Sequence, residues 1–174
     1  YGGYPWRYYR IFKSLNQKDF LAEYYHFWQR LVPDKQKSGL FTQNVRPYIN
    51  PEGPRNFLEG VFSFNEKLKY DTPEDHIQNS LYFEIKTFLP GLLLVGDKLS
   101  MANGLEERFP FLDNDLVDFA MKVPVRHKLG KLEDMKRMDE NILGNKKRAY
   151  REYTDGKNVL RKAMQELLPE KVIN

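Results

Sequence analysis

Cysteine is absent from the 174-residue chain. Disulfides, thiolate metal sites and a cysteine nucleophile are therefore excluded within it. Histidine is scarce: His26, His76 and His127 stand far apart, and neither H-E-x-x-H nor G-x-S-x-G occurs. Each histidine reads as a surface or packing residue. Gly2-Gly3 is the only glycine pair, so a glycine-rich phosphate loop is missing. No apolar run approaches the roughly 20 residues a bilayer span requires. No stretch alternates valine or isoleucine as a half-buried strand would, and there is no internal repeat. Charge of one sign is lacking too. The 28 basic and 24 acidic residues are well mixed and leave +4, weak grounds for a nucleic-acid or membrane surface.

What is present suffices for a core. Apolar residues make up 41% and aromatics 14% of the chain, a composition that folds. The reading is all-α, one helical unit over 1–174. Tyr4 to Leu15 is expected as an aromatic and basic helix with Trp6, Tyr9, Phe12 and Leu15 on a packing face. Asn16 with Asp19 signals a second helix, reaching about Leu31 and burying Phe20, Tyr24, Phe27 and Leu31; Pro33 ends it. Residues 33–70 carry Pro47, Pro51 and Pro54 without a sustained period, so loops joined by short helical turns are expected.

Thr72-Pro73-Glu74-Asp75 is a strong helix start: threonine caps, proline takes the first position, and the acids meet the positive dipole end. Ile77, Leu81, Ile85 and Phe88 follow at helical spacing, with a stop near Pro90-Gly91. Leu92 to Met101 is apolar enough for a buried helix. Asp113 caps a further helix with a buried stripe of Leu116, Phe119, Ala120 and Val123, stopped by Pro124. The charged segment 131–156 is expected to be exposed. A last helix, Asn158 to Leu168, should bury Leu160, Ala163, Met164 and Leu167.

The central stretch carries a polar cluster: Asp97 and Lys98 late in the Leu92–Met101 helix, and Glu106 and Arg108 beyond it. Charge beside a core must be paired, because an unpaired buried charge costs several kcal/mol. The first reading is a buried ion-pair network that fixes the bend, with Arg108 paired to Asp113 or a carbonyl. The second is the wall of a site for an anionic substrate or pyrophosphate.

The stretch Gly96 to Asp113, GDKLSMANGLEERFPFLD, closely resembles the synthetase domain of glutamine-hydrolysing asparagine synthetases, which read D-[RK]-x-S-M-A-x-x-L-E-x-R-x-P-F-L-D. Tyr1-Gly2-Gly3-Tyr4-Pro5 is similar to the end of that family's S-G-x-G-[SA]-D-E-x-F-G-G-Y segment. Asp155-Gly156-Lys157 with Leu160-Arg161-Lys162-Ala163 resembles its D-G-K-x-x-L-R-x-A, and Leu168-Pro169-Glu170-Lys171-Val172 its L-P-x-x-[IV]. Residues 13–70 and 131–151 match little.

The resemblance implies a helical C-terminal section of an adenine-nucleotide α-hydrolase-like α/β synthetase domain, its parallel sheet outside this chain. It implies a cytoplasmic parent enzyme that uses ATP and Mg, joins aspartate to ammonia drawn from glutamine, and releases AMP and pyrophosphate. Asp97, Lys98, Glu106, Arg108, Gly2 and Gly3 are then expected to line or support the ATP and aspartate cleft. The pyrophosphate loop, the functional glutamate and the glutaminase cysteine are not in this sequence. The isolated chain is therefore expected to be inert, and to expose an apolar face that favours a homodimer or a loose fold. Related adenylating enzymes with another acyl substrate share the pattern. A helical interaction or nucleic-acid-binding module, built on Tyr4–Arg10 and Lys146-Lys147-Arg148, is the rival of a different class.

Overall fold

A computed structural model describes residues 14–29, 32–130 and 156–173. These are helical, with no strand among them. The expected helix over Tyr4–Leu15 and the charged segment 131–156 fall almost wholly outside them. In chain order the helices are α1 (Gln17–Trp28), α2 (Asp34–Lys37), α3 (Gly53–Ser63), α4 (Pro73–Lys86), α5 (Phe88–Ala102), α6 (Asn114–Lys122), α7 (Val125–Lys128), α8 (Asn158–Met164) and α9 (Glu170–Ile173). Short 3-10 turns occupy Ser38–Leu40, Arg46–Tyr48 and Pro110–Leu112.

The hub is α4. It packs against α3, α5 and α7, while α1 packs on α3. Its start is a complete capping box. Thr72 Oγ1 accepts from the Asp75 N–H at 3.1 Å, and Asp75 accepts from the Thr72 N–H at 2.9 Å. Two orphan donors are satisfied reciprocally, as the sequence signal requires. Asn16 caps α1 by accepting from the Asp19 N–H at 3.0 Å.

The core is aromatic. Phe20 and Tyr24 of α1, Leu58 and Phe62 of α3, and Ile77, Leu81 and Phe83 of α4 are buried together with Val125 and Leu129. Phe20 stacks on Tyr24 at 5.4 Å and meets Phe62 edge-on at 5.3 Å. Such pairs add about 0.5–1.5 kcal/mol beyond area burial. Buried polar groups on α4 pin the preceding loop. Asn79 donates to the Lys69 carbonyl at 2.7 Å, and His76 Nε2 lies 3.2 Å from the Tyr70 carbonyl. His76 also stacks on Phe20, so it is a packing residue. The Tyr24 hydroxyl donates to the Ser80 carbonyl at 3.1 Å and ties α1 to the hub.

Several expectations are corrected. Residues 33–70 contain the eleven-residue α3, which buries Leu58 and Phe62; its prolines sit before or at its first turn, where no N–H is needed. The helix that begins at Pro73 stops at Lys86, well before Pro90-Gly91. Thr87 breaks the chain there, its N–H and hydroxyl both donating to the Phe83 carbonyl. Pro90 is then harmless in the first turn of α5. Ile85 and Phe88 are correspondingly exposed. The helix over Leu92–Met101 exists, but α5 buries no residue. Its half-buried positions, Leu89, Leu93, Gly96 and Ser100, form one stripe, and the Glu107 side chain lies over its Gly96 and Ser100 end. The α6 stripe is likewise unburied, with Phe119 59% exposed and only Val123, at the helix end, buried. The helix at Asn158 ends at Met164, with Ala163 and Leu167 exposed and Leu160 and Met164 half-buried. Helix α1 ends at Trp28, and Leu31 lies outside the described residues.

Candidate functional site

The polar motif is built on the end of α5 and the turn that follows. Asn103 caps α5, and its side chain donates to the Leu99 carbonyl at 2.8 Å. Gly104 takes the left-handed conformation at φ 69°. Its N–H donates to the Met101 carbonyl at 3.1 Å, and the Leu105 N–H donates to the Ser100 carbonyl at 2.9 Å. These are the paired hydrogen bonds of a left-handed helix stop, which glycine reaches without a Cβ penalty. The stop turns the chain so that residues 105–109 run back past α5.

Glu107 shows the result. Its carboxylate accepts from the Ser100 hydroxyl at 3.3 Å. A Cβ placed on Gly96 would lie 2.6 Å from the same Glu107 oxygen. Gly96 and Ser100, one helical turn apart, thus form a shallow seat for this side chain. Glu107 was not singled out from the sequence. The legible signal was the pair of small residues four apart, opposite an acid beyond a glycine stop.

Asp97 and Lys98 lie on α5 and are exposed. Glu106 and Arg108 are paired at 2.7 Å, with side chains 71% and 81% exposed. The buried ion-pair network is therefore not found, and Arg108 pairs with Glu106, not with Asp113. Asp113 instead caps α6 by accepting from the Leu116 N–H at 3.1 Å. An ion pair this exposed contributes about 0–1 kcal/mol, so fold stability is a poor account of these four charges. Gly2 and Gly3 lie outside the described residues.

Around the charges the surface is apolar. Leu92, Val95 and Leu99 of α5, Leu105 of the turn, and Phe111 and Phe119 are all more than half exposed. The surface thus joins carboxylate, ammonium and guanidinium groups to uncovered apolar side chains. Lys98 and Arg108 can meet phosphate or carboxylate oxygens; Asp97 and Glu106 can meet an ammonium group or a cation. Among the described residues no three acidic or histidine side chains form a metal cage. No helix among the described residues is long and apolar enough to cross a membrane.

The structure thus shows a helical unit with exposed motif charges beside an uncovered apolar helix, and comparison with known proteins gives the family. The Asparagine synthase family model matches residues 1–174, and the chain belongs to that family. It is 35% identical over 112 residues to "Asparagine synthetase [glutamine-hydrolyzing] 1" of Bacillus subtilis, covering 64% of this chain and 14% of that protein. It is 26% identical over 178 residues to "Asparagine synthetase [glutamine-hydrolyzing] 3" of the same organism, covering 99% and 23%. It is 28% identical over 85 residues to "Putative asparagine synthetase [glutamine-hydrolyzing] 1" of Methanocaldococcus jannaschii, covering 49% and 16%. The chain thus spans less than a quarter of each of these relatives. No solved structure matches it.

Proposed function

We propose that this chain is the helical section of the synthetase domain of a glutamine-hydrolysing asparagine synthetase. The observation that carries the reading is the family match over residues 1–174. The exposed charges of the motif support it. In the proposed reaction, aspartate is activated by ATP as an acyl adenylate with release of pyrophosphate. Ammonia from glutamine then displaces AMP to give asparagine. Adenylation is needed because a free carboxylate has no leaving group.

This chain's own part is to hold charge. Asp97 and Lys98 project from α5, and Glu106 and Arg108 from the turn that Gly104 sets. Lys98 and Arg108 would stabilise negative charge that develops on phosphate. Asp97 and Glu106 would orient the aspartate ammonium or share its site with Mg²⁺. Glu107, seated on Gly96 and Ser100, keeps the turn against α5. The pyrophosphate loop and the glutaminase belong to the longer, cytoplasmic protein that this reading implies. The 174-residue chain alone is accordingly inert, and its uncovered face lies against the nucleotide-binding sheet.

The test is pyrophosphate release by that longer protein with ATP, Mg²⁺ and ammonia, with and without aspartate. Aspartate-dependent release with asparagine as product is expected. Release that ignores aspartate would overturn the substrate and point to a relative with another acyl group. Asparagine formation by the 174-residue chain alone would overturn its inertness.

A further inference from the structure

Within the apolar surface beside the motif, and lined by none of its four charges, a pocket of about 290 Å³ opens between α4, α5, α6 and the 3-10 turn at Pro110–Leu112. Its wall is almost wholly apolar, including Leu81, Phe88, Leu92, Phe111 and Ala120. One cation lines it: Lys128 of α7, a residue only 2% exposed. Small-molecule sites have this make-up, apolar walls with one or two placed polar groups, and the volume lies at the lower end of their range.

Lys128 is the unusual element. A lysine ammonium carries three N–H donors. Among the described residues Lys128 makes one hydrogen bond, to Gln78 Oε1 at 3.2 Å, and no ion pair. Glu84 also lines the pocket and has interactions of its own. A buried ammonium without a counter-charge is costly, and burial alone pulls its pKa below the ordinary 10.5. The structure assigns to this pocket a small, largely apolar monocarboxylate, its chain among the leucine and phenylalanine side chains and its carboxylate on Lys128. A charged amino acid such as aspartate, with three ionised groups, does not suit these walls. The site is therefore separate from the proposed reaction, and its test does not depend on activity.

Titration calorimetry of the 174-residue chain with hexanoate, butanoate and hexanol tests this. Saturable hexanoate binding is expected, about fifteenfold tighter than butanoate for the two extra methylenes. It should be at least about tenfold tighter than hexanol, which lacks the charge for Lys128. Lys128→Met should abolish the preference for hexanoate over hexanol. Ala120→Leu, which leaves Lys128 in place and fills the pocket, should abolish binding of both while the chain still melts cooperatively. Absence of saturable hexanoate binding, an unchanged hexanoate-to-hexanol ratio in Lys128→Met, or undiminished binding in a folded Ala120→Leu chain would each overturn the assignment.

Discussion

Helices α4 and α5 are consecutive, similar in length and separated by Thr87 alone, yet they live in different surroundings. Helix α4 buries His76, Ile77, Asn79, Ser80, Leu81 and Phe83. Helix α5 is the more apolar in sequence and buries nothing. Hydrophobic composition therefore does not say where the core of this chain is. The core sits where aromatic side chains from α1, α3 and α4 converge. The apolar residues of α5 and α6 are suited to a partner that the described residues do not supply. Uncovered apolar surface of this kind marks an interaction face, which agrees with the proposal that a larger synthetase completes it.

The contrast can be broken most sharply with two phenylalanines. Phe20→Ala opens the centre of the aromatic cluster and should cost about 3–5 kcal/mol in denaturant unfolding. Phe119→Ala, on the exposed α6 stripe, should stay within about 0.5 kcal/mol. Equal losses would mean that α6 is packed after all. Within the motif arm, Gly104→Ala forces a side chain into the left-handed stop and should cost about 1–2 kcal/mol. Gly96→Ala should be neutral or stabilise by up to about 1 kcal/mol through helix propensity. The far end of Glu107 needs only to swing aside. Chemical denaturation measures both. On the hub, Thr72→Ala removes half of the capping box and should lower stability by about 1 kcal/mol.

The smallest effect concerns pH. Burial lowers the Lys128 pKa in the folded chain. Between that lowered value and 10.5 the unfolded chain binds more protons than the native one, so stability should rise with pH across the window. Below it the full penalty of charging the buried lysine applies. Lys128→Met should remove that rise, read as a flatter plot of melting temperature against pH. An unchanged slope would show that Lys128 is hydrated in solution.

Local chemistry was legible in the sequence where one short segment decides the outcome. Asn16, Thr72 and Asp113 were readable as caps because each cap joins residues only three apart. The break at Thr87 was not, since Pro90-Gly91 is the louder punctuation and the first turn of a helix tolerates proline. Burial failed most at Leu92–Met101 and at Phe119. Period and hydrophobicity mark a face meant to be covered, but not whether the cover lies in the same chain. Of the candidate site, the family motif was readable and its four charges could be named, but their exposure and the Glu106–Arg108 pairing were not. The Glu107 seat was not, because it depends on the direction in which the Gly104 stop returns the chain. Lys128 was missed for the same reason: a lysine near a proline-bounded turn reads as solvated until α4 and α6 close around it.

The most direct test of this two-part account is amide hydrogen exchange along α4 and α5 in the 174-residue chain. Exchange of α4 amides through global unfolding is expected, while α5 amides should open locally and much faster. Addition of the longer synthetase's remaining segments should protect α5 and leave α4 unchanged. Equal protection of both helices in the chain alone would contradict the claim that α5 awaits a partner.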